Sequence, residues 1–433
     1  MARCLDPAFG RYTRSPPPRG VEAVDVLVVG AGPAGSTAAN GLARQGHDVV
    51  VVEEHERVGL PVQCAGLVSE RVLRLAGSDR FVRTAVRGAT VFGPGLESVS
   101  FRAPEARAFV IDRSALDIHL ADRAARSGAR YRCGSRFDGL RRDADGAVVR
   151  LTEVDGTSTE IRARLVVGAD GVSSAVARAF RLRRPVEILP AFEAEFPRSP
   201  GDADQVEVYL GRSFAPGLFG WWIPDGNGGA RVGVAADADG TSARQYFDRL
   251  LDFLARRFGE RLANPTAYLV SGIPIGTVPR THGPGVLLVG DAAAQVKPLS
   301  GGGIFTGMRC AEILTEVAHR ALTNGDLTEA SLAEYDVRWR AELGEEFRRA
   351  LYLRRLFTRL TDRDLDAVVR ALRDAGLTAT IVAFGDIDFP THVVRQLLRQ
   401  SPSLVRLLPK AVGAFWSSST LRVPELDAAP RRK

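Results

Sequence analysis

The chain has few cysteines and almost no lysine. Its cysteines form no Cys-x-x-Cys pair and lie far apart, at Cys4, Cys64, Cys133 and Cys310. This spacing argues against a zinc site and a disulfide framework, and it fits a reducing compartment. Arginine supplies nearly all of the 58 basic residues, which give a formal net charge of +7. A basic balance is compatible with nucleic acid, an anionic membrane or an anionic substrate, and composition alone does not choose among them.

Long apolar runs are also absent. No segment approaches the ~18 apolar residues that a membrane-spanning helix needs, and the first twenty residues contain arginines and prolines without an apolar core. We therefore expect no signal peptide, and a flexible tail over residues 1–21. The 433 residues are 45% apolar and 25% charged, which is typical of a soluble globular protein. This length predicts two or three units.

A βαβ unit is predicted near the amino end. Val24–Val29 is a β-branched run that leads into Gly30-x-Gly32-x-x-Gly35, a helix of small residues, and a second buried strand that ends at Glu53. Glycines in this pattern permit a tight turn and let the backbone approach a pyrophosphate at a helix N-terminus. An acid about twenty residues on can accept hydrogen bonds from a ribose. The unit therefore predicts a dinucleotide site.

Two later strands end in similar turns. The run 165–167 precedes Gly168-Ala169-Asp170-Gly171, and the run 286–289 precedes Gly290-Asp291. An Asp after such a strand can bind the ribityl chain of a flavin, although alone it is a common strand-end turn. The three elements in this order resemble the FAD-binding, glutathione-reductase-like flavoproteins. No second Gly-x-Gly-x-x-Gly follows a strand, so no separate nicotinamide domain is predicted.

The middle of the chain has a different pattern. Residues 192–196 and 206–210 alternate apolar and polar side chains, which is typical of a sheet with two unlike faces. From residue 331 onward the pattern is helical. We predict an α/β fold, α+β overall, with these parts: a flexible tail (1–21), a discontinuous Rossmann-like FAD-binding domain (22–180 plus 273–330), an inserted antiparallel-sheet substrate domain (181–272) and a helical C-terminal region (331–433).

Three further motifs indicate a branch of that superfamily. They are Pro61-Val62-Gln63-Cys64-Ala65-Gly66, Leu218-Phe219-Gly220-Trp221-Trp222-Ile223-Pro224 and Lys297-Pro298-Leu299-Ser300-Gly301-Gly302-Gly303-Ile304. With these motifs most of the chain resembles the geranylgeranyl reductase family, especially the archaeal-type digeranylgeranylglycerophospholipid reductases. Phe219 and Ile223 replace the family's usual Tyr and Phe, and Lys297 stands where a small polar or acidic residue is more usual. Both departures concern the substrate path.

The resemblance implies an FAD-dependent reductase that saturates C=C bonds of geranylgeranyl chains on isoprenoid lipids, with hydride from N5 of the reduced flavin. Cys64 is the candidate for a role in catalysis or redox tuning, and its alternative is a small buried packing residue. The implied cofactor contacts are Gly30, Gly32, Ala34, Gly35, Glu53, Cys64, Ala65, Arg113, Asp291, Gly302, Gly303 and Ile304. No metal site is predicted.

A substrate wall is predicted in the second unit. In a strand, Phe219, Trp221 and Ile223 point to one face, and with Pro224 they would present an apolar wall suited to a polyprenyl chain. Enclosing about twenty carbons at ~0.8 kcal/mol per CH₂ would stabilise the complex by about 15 kcal/mol before ordering costs. The same stripe would also suit a domain core, and the family resemblance favours the substrate wall.

Alternative functions and partners follow from the same pattern. An FAD-dependent monooxygenase or prenyl-quinone reductase would use this scaffold, and a non-catalytic prenyl-binding protein, similar to the GDP dissociation inhibitors, would share the fold. The expected partners are a prenyl lipid and an electron donor, either NAD(P)H or a small redox protein such as ferredoxin, and no nucleic acid.

Membrane contact is the remaining expectation. Residues 337–433 hold 18 basic and 11 acidic residues, a surplus equal to the whole net charge. Within them His392–Trp416 mixes leucines with basic residues, which is typical of an interfacial amphipathic segment or of a helix packed on the body. We expect a cytoplasmic protein that is peripherally membrane-associated.

Overall fold

The computed structural model describes residues 21–143, 146–185, 187–237, 239–262 and 264–401. Within these residues the strands are β1 (Glu22–Val29), β2 (Val49–Glu53), β3 (Leu67–Val68), β4 (Val82–Val86), β5 (Gly88–Phe92), β6 (Ser98–Arg102), β7 (Ala108–Ile111), β8 (Arg130–Cys133), β9 (Ser135–Asp143), β10 (Gly146–Glu153), β11 (Ser158–Gly168), β12 (Glu187–Phe196), β13 (Gln205–Tyr209), β14 (Phe219–Pro224), β15 (Ala230–Ala235), β16 (Ala267–Ile275), β17 (His282–Gly283) and β18 (Val286–Leu288). The α-helices are α1 (Pro33–Arg44), α2 (Glu70–Ala76), α3 (Arg113–Arg126), α4 (Ala175–Ala179), α5 (Ala243–Phe258), α6 (Ile304–Asn324), α7 (Glu329–Phe357), α8 (Asp362–Asp374), α9 (Thr378–Phe384) and α10 (Thr391–Gln400).

An eight-stranded sheet with the order β17-β18-β11-β1-β2-β8 organises the first part of the molecule, and the β9–β10 hairpin joins it through β11. Strands β18, β11, β1 and β2 run parallel, and Val26 lies opposite both Leu165 and Val49. Their β-branched side chains are buried on both faces, because helices cover one face and the hairpin with α4 covers the other. Parallel strands end at one edge of the sheet, so the turns that follow β1, β2 and β18 meet there, as the sequence pattern predicts.

Helices α1 and α6 pack at close range on this sheet. A Cβ added at Gly41 of α1 would lie 2.5 Å from the Oγ1 atom of Thr315 on α6, so only glycine permits this approach. Leu42, Cys310 and Leu314 share one buried cluster at the contact. Cys310 is buried at this contact.

A seven-stranded sheet with the order β16-β12-β15-β14-β13-β5-β6 forms the second part. Its neighbouring strands are antiparallel except for β13 and β5, which are parallel. Helix α5 covers one face with Phe247 and Phe253, which pack with Trp222. Strand pairing places β5 and β6 in this second sheet, whereas the sequence pattern predicts residues 88–102 within the FAD-binding unit. Two five-residue strands are too short to reveal their sheet by alternation, and the exact domain limits stay a prediction.

The C-terminal part is helical from α7 to α10, and a three-stranded sheet, β3-β7-β4, lies before α3 in the chain. These elements complete the predicted α/β class with a helical C-terminal region, which is confirmed. In the part of the chain that the structure describes, no helix is both long and apolar enough to cross a membrane. The predicted amphipathic segment coincides with α10 as far as Gln400, and its residues 402–416 lie outside the described residues.

Candidate active site

The turn after β1 forms a narrow backbone cradle. Gly30 adopts φ +102°, and a Cβ there would lie 2.4 Å from the carbonyl oxygen of Ala169. A Cβ at Gly35 would lie 2.1 Å from the carbonyl oxygen of Gly30. At Gly32, by contrast, no protein atom lies within 4 Å of the Cβ position. The first and third glycines therefore permit the fold of the turn, while the middle one borders open space at the start of α1.

Glu53 stands beside this cradle at the end of β2. Its carboxylate accepts a hydrogen bond from the backbone N–H of Ala31 (2.9 Å) and contacts the backbone N–H and the Nδ1 atom of His55 (3.0 and 2.7 Å). These contacts hold the carboxylate at the rim of the open space. A carboxylate has about four acceptor positions, so Glu53 can also accept bonds from ribose hydroxyls.

Asp291 occupies the tight turn after β18, within a 3-10 helix over Gly290–Ala293. Its side chain makes no hydrogen bond or ion pair with any described residue. Burial raises the pKa of this carboxyl to about 6, although the charge of Arg113 opposes the shift. A Cβ on Gly303 would lie 3.1 Å from Oδ1 of Asp291, so glycine leaves the carboxyl uncovered. A half-buried acceptor without a donor suits a ligand rich in hydroxyl groups.

These features together fit FAD. The open space over Gly32, the N-terminus of α1 and the rim carboxylate of Glu53 suit a pyrophosphate and an adenosine ribose. The unpartnered Asp291 suits the ribityl chain. Ala34 lies in the first turn of α1, and a Cβ on Gly290 would lie 3.1 Å from its Cβ. The sheet edge therefore brings together the glycine motif, Glu53 and Asp291, which lie far apart in the sequence.

Arg113 begins α3 and forms a largely buried ion pair one turn along that helix. Its Nε and Nη2 atoms donate to the two oxygens of Asp117 at 3.2 and 2.9 Å. Burial lowers the pKa of the Arg113 guanidinium, but the carboxylate of Asp117 and the sulfur of Cys64 outweigh burial and raise it above its ordinary value. The structure thus places Arg113 between Asp117, Cys64 and the charge of Asp291.

A cavity of about 460 Å³ lies between the second sheet and the FAD-side loops. Phe219, Trp221 and Ile223 all line it, as the alternation of β14 predicts, while Trp222 points into the core under α5. Pro224 closes the strand opposite Ala230 and is not among the residues that line the cavity. A Cβ at Gly233 would lie 2.4 Å from the Trp221 ring. The absence of a side chain at Gly233 therefore leaves room for the indole over the neighbouring strand.

The FAD-side loops complete the cavity at its other wall. The lining residues there are Gln63, Cys64, Ala65, Gly66, Lys297, Ser300, Gly301 and Gly302. Gly303 and Ile304 lie one and two residues beyond, at the start of α6. Cys64 is half-buried and accepts a weak hydrogen bond from the Gly66 N–H (3.4 Å). Cys64, Ala65 and Gly302 therefore belong to both the cavity and the predicted cofactor side.

The C-terminal helices supply a wall that the sequence did not reveal. Lining residues include Ile381, Val382, Ile387 and Val393 from α9, α10 and the loop between them. Two ion pairs hold this loop: the Nζ atom of Lys297 contacts Oδ1 of Asp388 at 3.0 Å, and Arg71 binds Asp386 through both nitrogens at 2.8 and 2.9 Å. The Lys297 pair is almost fully buried.

Two buried charged residues on the second sheet also escaped sequence reasoning. Arg231 donates to the carbonyl oxygens of Ala65 (2.9 Å) and Ile111 (3.1 Å), so it ties β15 to the Cys64 segment. Glu193 is 4% exposed and accepts from the indole N–H of Trp221 at 2.6 Å, while its Oε1 has no partner. Burial raises the pKa of Glu193 to about 7. Glu193 occupies a polar position of the alternating run 192–196, so the sequence pattern gives no sign of its burial.

Comparisons with known proteins agree with this geometry. A family model described as "FAD binding domain" matches residues 23–341. The chain is 34% identical to digeranylgeranylglycerophospholipid reductase 2 of Methanothermobacter thermautotrophicus, over 89% of this chain and 98% of that protein. It is 33% identical to the digeranylgeranylglycerophospholipid reductase of Methanocaldococcus jannaschii, over 88% and 96%.

Solved structures show the same fold. A geranylgeranyl bacteriochlorophyll reductase-like protein from Thermoplasma acidophilum superimposes with a TM-score of 0.78 at 24% identity, covering 89% of this chain and 98% of that one. A myxobacterial chondrochloren halogenase, described as an FAD-dependent halogenase variant, gives a TM-score of 0.63 at 20% identity, covering 76% and 83%. The fold thus serves more than one flavin chemistry.

Proposed function

The chain belongs to the digeranylgeranylglycerophospholipid reductase family of FAD-binding proteins, and from that premise we propose that it saturates the C=C bonds of geranylgeranyl chains on an isoprenoid phospholipid. It is an FAD-dependent oxidoreductase. The observation that carries the proposal is an apolar cavity whose wall includes Cys64, Ala65 and Gly302, on the side where the residues for FAD gather. A prenyl chain forms almost no hydrogen bonds, and most of the residues that line this cavity are apolar.

The cavity accounts for binding and orientation. Its volume of about 460 Å³ lies within the ~300–1,000 Å³ range of ligand sites. Burial of a prenyl chain against Phe219, Trp221 and Ile223 favours binding through apolar area. The flat indole of Trp221 is fixed by Glu193, so one wall has a defined shape. A double bond held between this wall and the Cys64 segment would be positioned for reduction.

The chemistry adds two hydrogens across a C=C bond. Bound FAD in its reduced form would supply a hydride for one carbon and become oxidised, and a proton from solvent or from a polar group at the cavity wall would add to the other carbon. The apolar wall would hold the double bond against the Cys64 segment, and Lys297 and Ser300 are polar groups that line the same wall. Enclosure of the double bond matters because a closed site limits the access of competing oxidants, such as oxygen, to the reduced flavin.

Cys64 is proposed to act on this reaction from the cavity wall. Its sulfur lies beside the guanidinium of Arg113, and the residue lines the cavity next to Ala65. We expect Cys64→Ala to retain FAD and thermal stability and to lose at least about tenfold in turnover. A variant with full turnover would assign Cys64 to packing, and Cys64→Ser separates the need for a sulfur from the need for a polar hydrogen.

Membrane contact and the electron donor belong to the same proposal. Phe384 and Leu60 are 47% and 41% exposed, and each lies within a few residues of the cavity lining. Apolar side chains at that place, with the basic surplus of residues 337–433, support peripheral contact with an anionic membrane, where the lipid resides.

The donor is NAD(P)H or a small redox protein such as ferredoxin. Flotation with anionic and zwitterionic vesicles, and stopped-flow reduction by each donor, test the two points.

The decisive experiment is anaerobic turnover. FAD-loaded protein is reduced with dithionite and mixed with a digeranylgeranylglycerophospholipid, and the lipid is analysed by mass spectrometry. The expected result is a gain of two hydrogens for each double bond reduced. Unchanged lipid would support the alternatives if separate assays show NAD(P)H consumption, either oxygen-dependent with an aromatic substrate for the monooxygenase or anaerobic with a quinone for the quinone reductase. Lipid binding without any turnover would indicate a carrier.

A further inference from the structure

The charged residues that line the cavity do not balance. Five charged residues contribute to its wall: Arg87, Arg107, Glu207, Lys297 and Asp386. Three of them are neutralised by close partners within the described residues. Lys297 pairs with Asp388 at 3.0 Å, Asp386 with Arg71 at 2.8 Å, and Glu207 with Arg257 at 2.5 Å. The uncompensated charge of the cavity therefore belongs to the two arginines.

Arg87 and Arg107 lie next to each other across two strands. Arg87 follows the last residue of β4, Arg107 precedes the first residue of β7, and the strand residues Val86 and Ala108 pair directly. The backbone N–H of Arg107 donates to the carbonyl of Val86 at 2.7 Å, and that of Arg87 to the carbonyl of Asp204 at 2.8 Å. The two side chains therefore start from fixed, neighbouring points.

Neither guanidinium has a dedicated acceptor. The side chain of Arg87 is 53% exposed, and its Nε lies 4.0 Å from Oδ2 of Asp204. That same oxygen already accepts a shorter bond from Arg102. Arg107 is exposed, and its side chain forms no ion pair or hydrogen bond with any described residue. Two exposed cations thus border an apolar cavity: Arg87 only shares a carboxylate with Arg102, and Arg107 has no acceptor among the described residues.

An apolar path leads inward from these arginines. Val86 and Ala108, adjacent to them in the chain, share one hydrophobic cluster with Ile223, Ala65 and Trp221. The same cavity wall continues from Ala65 to Gly302 on the FAD side. A molecule with an anionic end and a long apolar tail matches this order of charge and hydrophobicity.

We infer that Arg87 and Arg107 form a phosphate-binding site at the cavity mouth, which holds the phosphate-bearing head of the prenyl lipid while its chains extend past Trp221 toward Cys64 and Gly302. The inference rests on the proposed function and names the headgroup end of its substrate. Guanidinium groups bind phosphate oxygens through paired hydrogen bonds, so two of them suit a phosphomonoester or phosphodiester. A free phosphate ion has the same chemistry, and the experiment separates the two sources.

The test compares two lipids and two double variants. The lipids carry identical prenyl chains, one with a glycerol phosphate head and one with a neutral glycerol head. The test variant is Arg87→Gln/Arg107→Gln in the FAD-loaded protein. The matched control is Arg136→Gln/Arg198→Gln, which removes two exposed arginines that line no part of the cavity. Equilibrium binding is measured by quenching of intrinsic tryptophan fluorescence, with flavin content and melting temperature as folding checks.

The expected result is selective. The test variant should bind the phosphorylated lipid about tenfold more weakly or worse and the neutral lipid unchanged, while the control variant binds both lipids as the parent does. The parent's preference for the phosphorylated lipid should also shrink as salt rises, because both arginines are exposed. Equal weakening toward both lipids, or the same loss in the control, would overturn the site.

Inorganic phosphate supplies the remaining arm. If millimolar phosphate competes with the phosphorylated lipid in the parent but not in the test variant, the site recognises the phosphate group of the lipid. If phosphate binds to the parent but not to the test variant, and the test variant retains the parent's discrimination between the lipids, the arginines hold free phosphate and the headgroup assignment is wrong. Because these readouts are binding constants, failure of turnover with either lipid would count against the proposed function and leave this test intact.

Discussion

The residues proposed to hold FAD, which are the Gly30–Gly35 turn, Glu53 and Asp291, form what we call the FAD groove. The groove and the apolar cavity lie side by side but are built in different ways. The groove consists of backbone: glycine turns at the ends of parallel strands, with the carboxylates of Glu53 and Asp291 at its rim. The cavity consists of side chains from the second sheet, the Cys64 segment and the C-terminal helices. A backbone site depends on a few residues at fixed spacing, whereas an apolar wall tolerates exchange of similar side chains. We therefore expect substitutions in the groove to act through steric exclusion, and those in the cavity through burial and charge.

The largest effect is expected at the third glycine of the groove. In Gly35→Ala the new Cβ would lie 2.1 Å from the carbonyl oxygen of Gly30, and backbone cannot yield as a flexible side chain can. We expect the apoprotein to lose more than about 4 kcal/mol of unfolding free energy. Urea unfolding followed by circular dichroism measures it.

The matched control is the middle glycine of the same motif. Gly32→Ala places its Cβ in space that no protein atom occupies within 4 Å, so the apoprotein should lose less than about 1 kcal/mol. The same methyl group would enter the space assigned to the pyrophosphate, so flavin affinity should still fall. Equal stability losses in the two variants would refute the steric account of the groove.

The next effect concerns the ion pair that holds the C-terminal wall. Lys297→Met leaves Asp388 buried without its closest cation, and we expect a loss of about 3 kcal/mol. The surface pair Arg74–Glu70 joins side chains that are 71% and 61% exposed, so Arg74→Met should cost less than about 0.5 kcal/mol. Unfolding midpoints in urea compare the two. A Lys297 variant as stable as the surface variant would mean that the wall is not held by charge.

A pH-dependent effect is expected at Glu193. Burial raises the pKa of this carboxyl from 4.5 to about 7 in the folded state, so the folded protein binds the proton more tightly than the unfolded chain. Stability from this group is present below pH 4.5 and is lost as the pH rises to about 7. We expect Glu193→Gln to match the parent at pH 4.5 and to exceed it by about 3 kcal/mol at pH 8.

The tryptophan beside it provides the readout for this prediction. Emission from Trp221, which donates to Glu193, should titrate near pH 7 in the parent and remain constant in Glu193→Gln. Trp221→Phe identifies the signal of that indole by difference. A parent emission that does not change between pH 5 and 8 would contradict the raised pKa.

The smallest effect is expected at the start of α8. Thr361 and Asp364 cap each other, with the Asp364 N–H donating to Oγ1 of Thr361 at 3.3 Å and the Thr361 N–H donating to Asp364 at 2.9 Å. Thr361→Ala should cost about 1 kcal/mol. Thr358→Ala, which removes a half-buried hydroxyl outside the cap, should stay within about 0.5 kcal/mol. Thermal melts of the two variants compare them, and similar losses would remove the cap from the account of this helix.

The groove could be predicted from sequence because each part leaves a local signal. The Gly30 motif, Glu53 and Gly290-Asp291 each follow a β-branched run, and parallel strands necessarily bring their ends to one edge. The alternation of β14 likewise assigned Phe219, Trp221 and Ile223 to one face. Such signals depend on neighbours in the chain, which a sequence displays directly.

The rest of the cavity depends on contacts between distant segments. Asp388 pairs with Lys297 and Asp386 pairs with Arg71 across some ninety and three hundred positions. The sequence around residues 386–389 does not indicate either partner. β5 and β6 join the second sheet through a parallel pairing with β13, which five-residue strands cannot signal. Glu193 is a polar position in an alternating strand, and only the folded structure shows that this position is buried. Tertiary pairing therefore decides these features, and no single-segment pattern can supply it.

The position of the cavity wall in the chain has a consequence for synthesis. A ribosome releases the chain from its amino end, and domains fold as they emerge. Every residue assigned to the FAD groove lies at or before Ile304, whereas Asp386, Asp388 and Val393 close the cavity near the carboxyl end. All residues of the FAD groove have therefore been synthesised before the residues that close the cavity. Cofactor loading can precede enclosure of the lipid site, so a nascent chain can acquire its flavin before it is able to trap a hydrophobic guest.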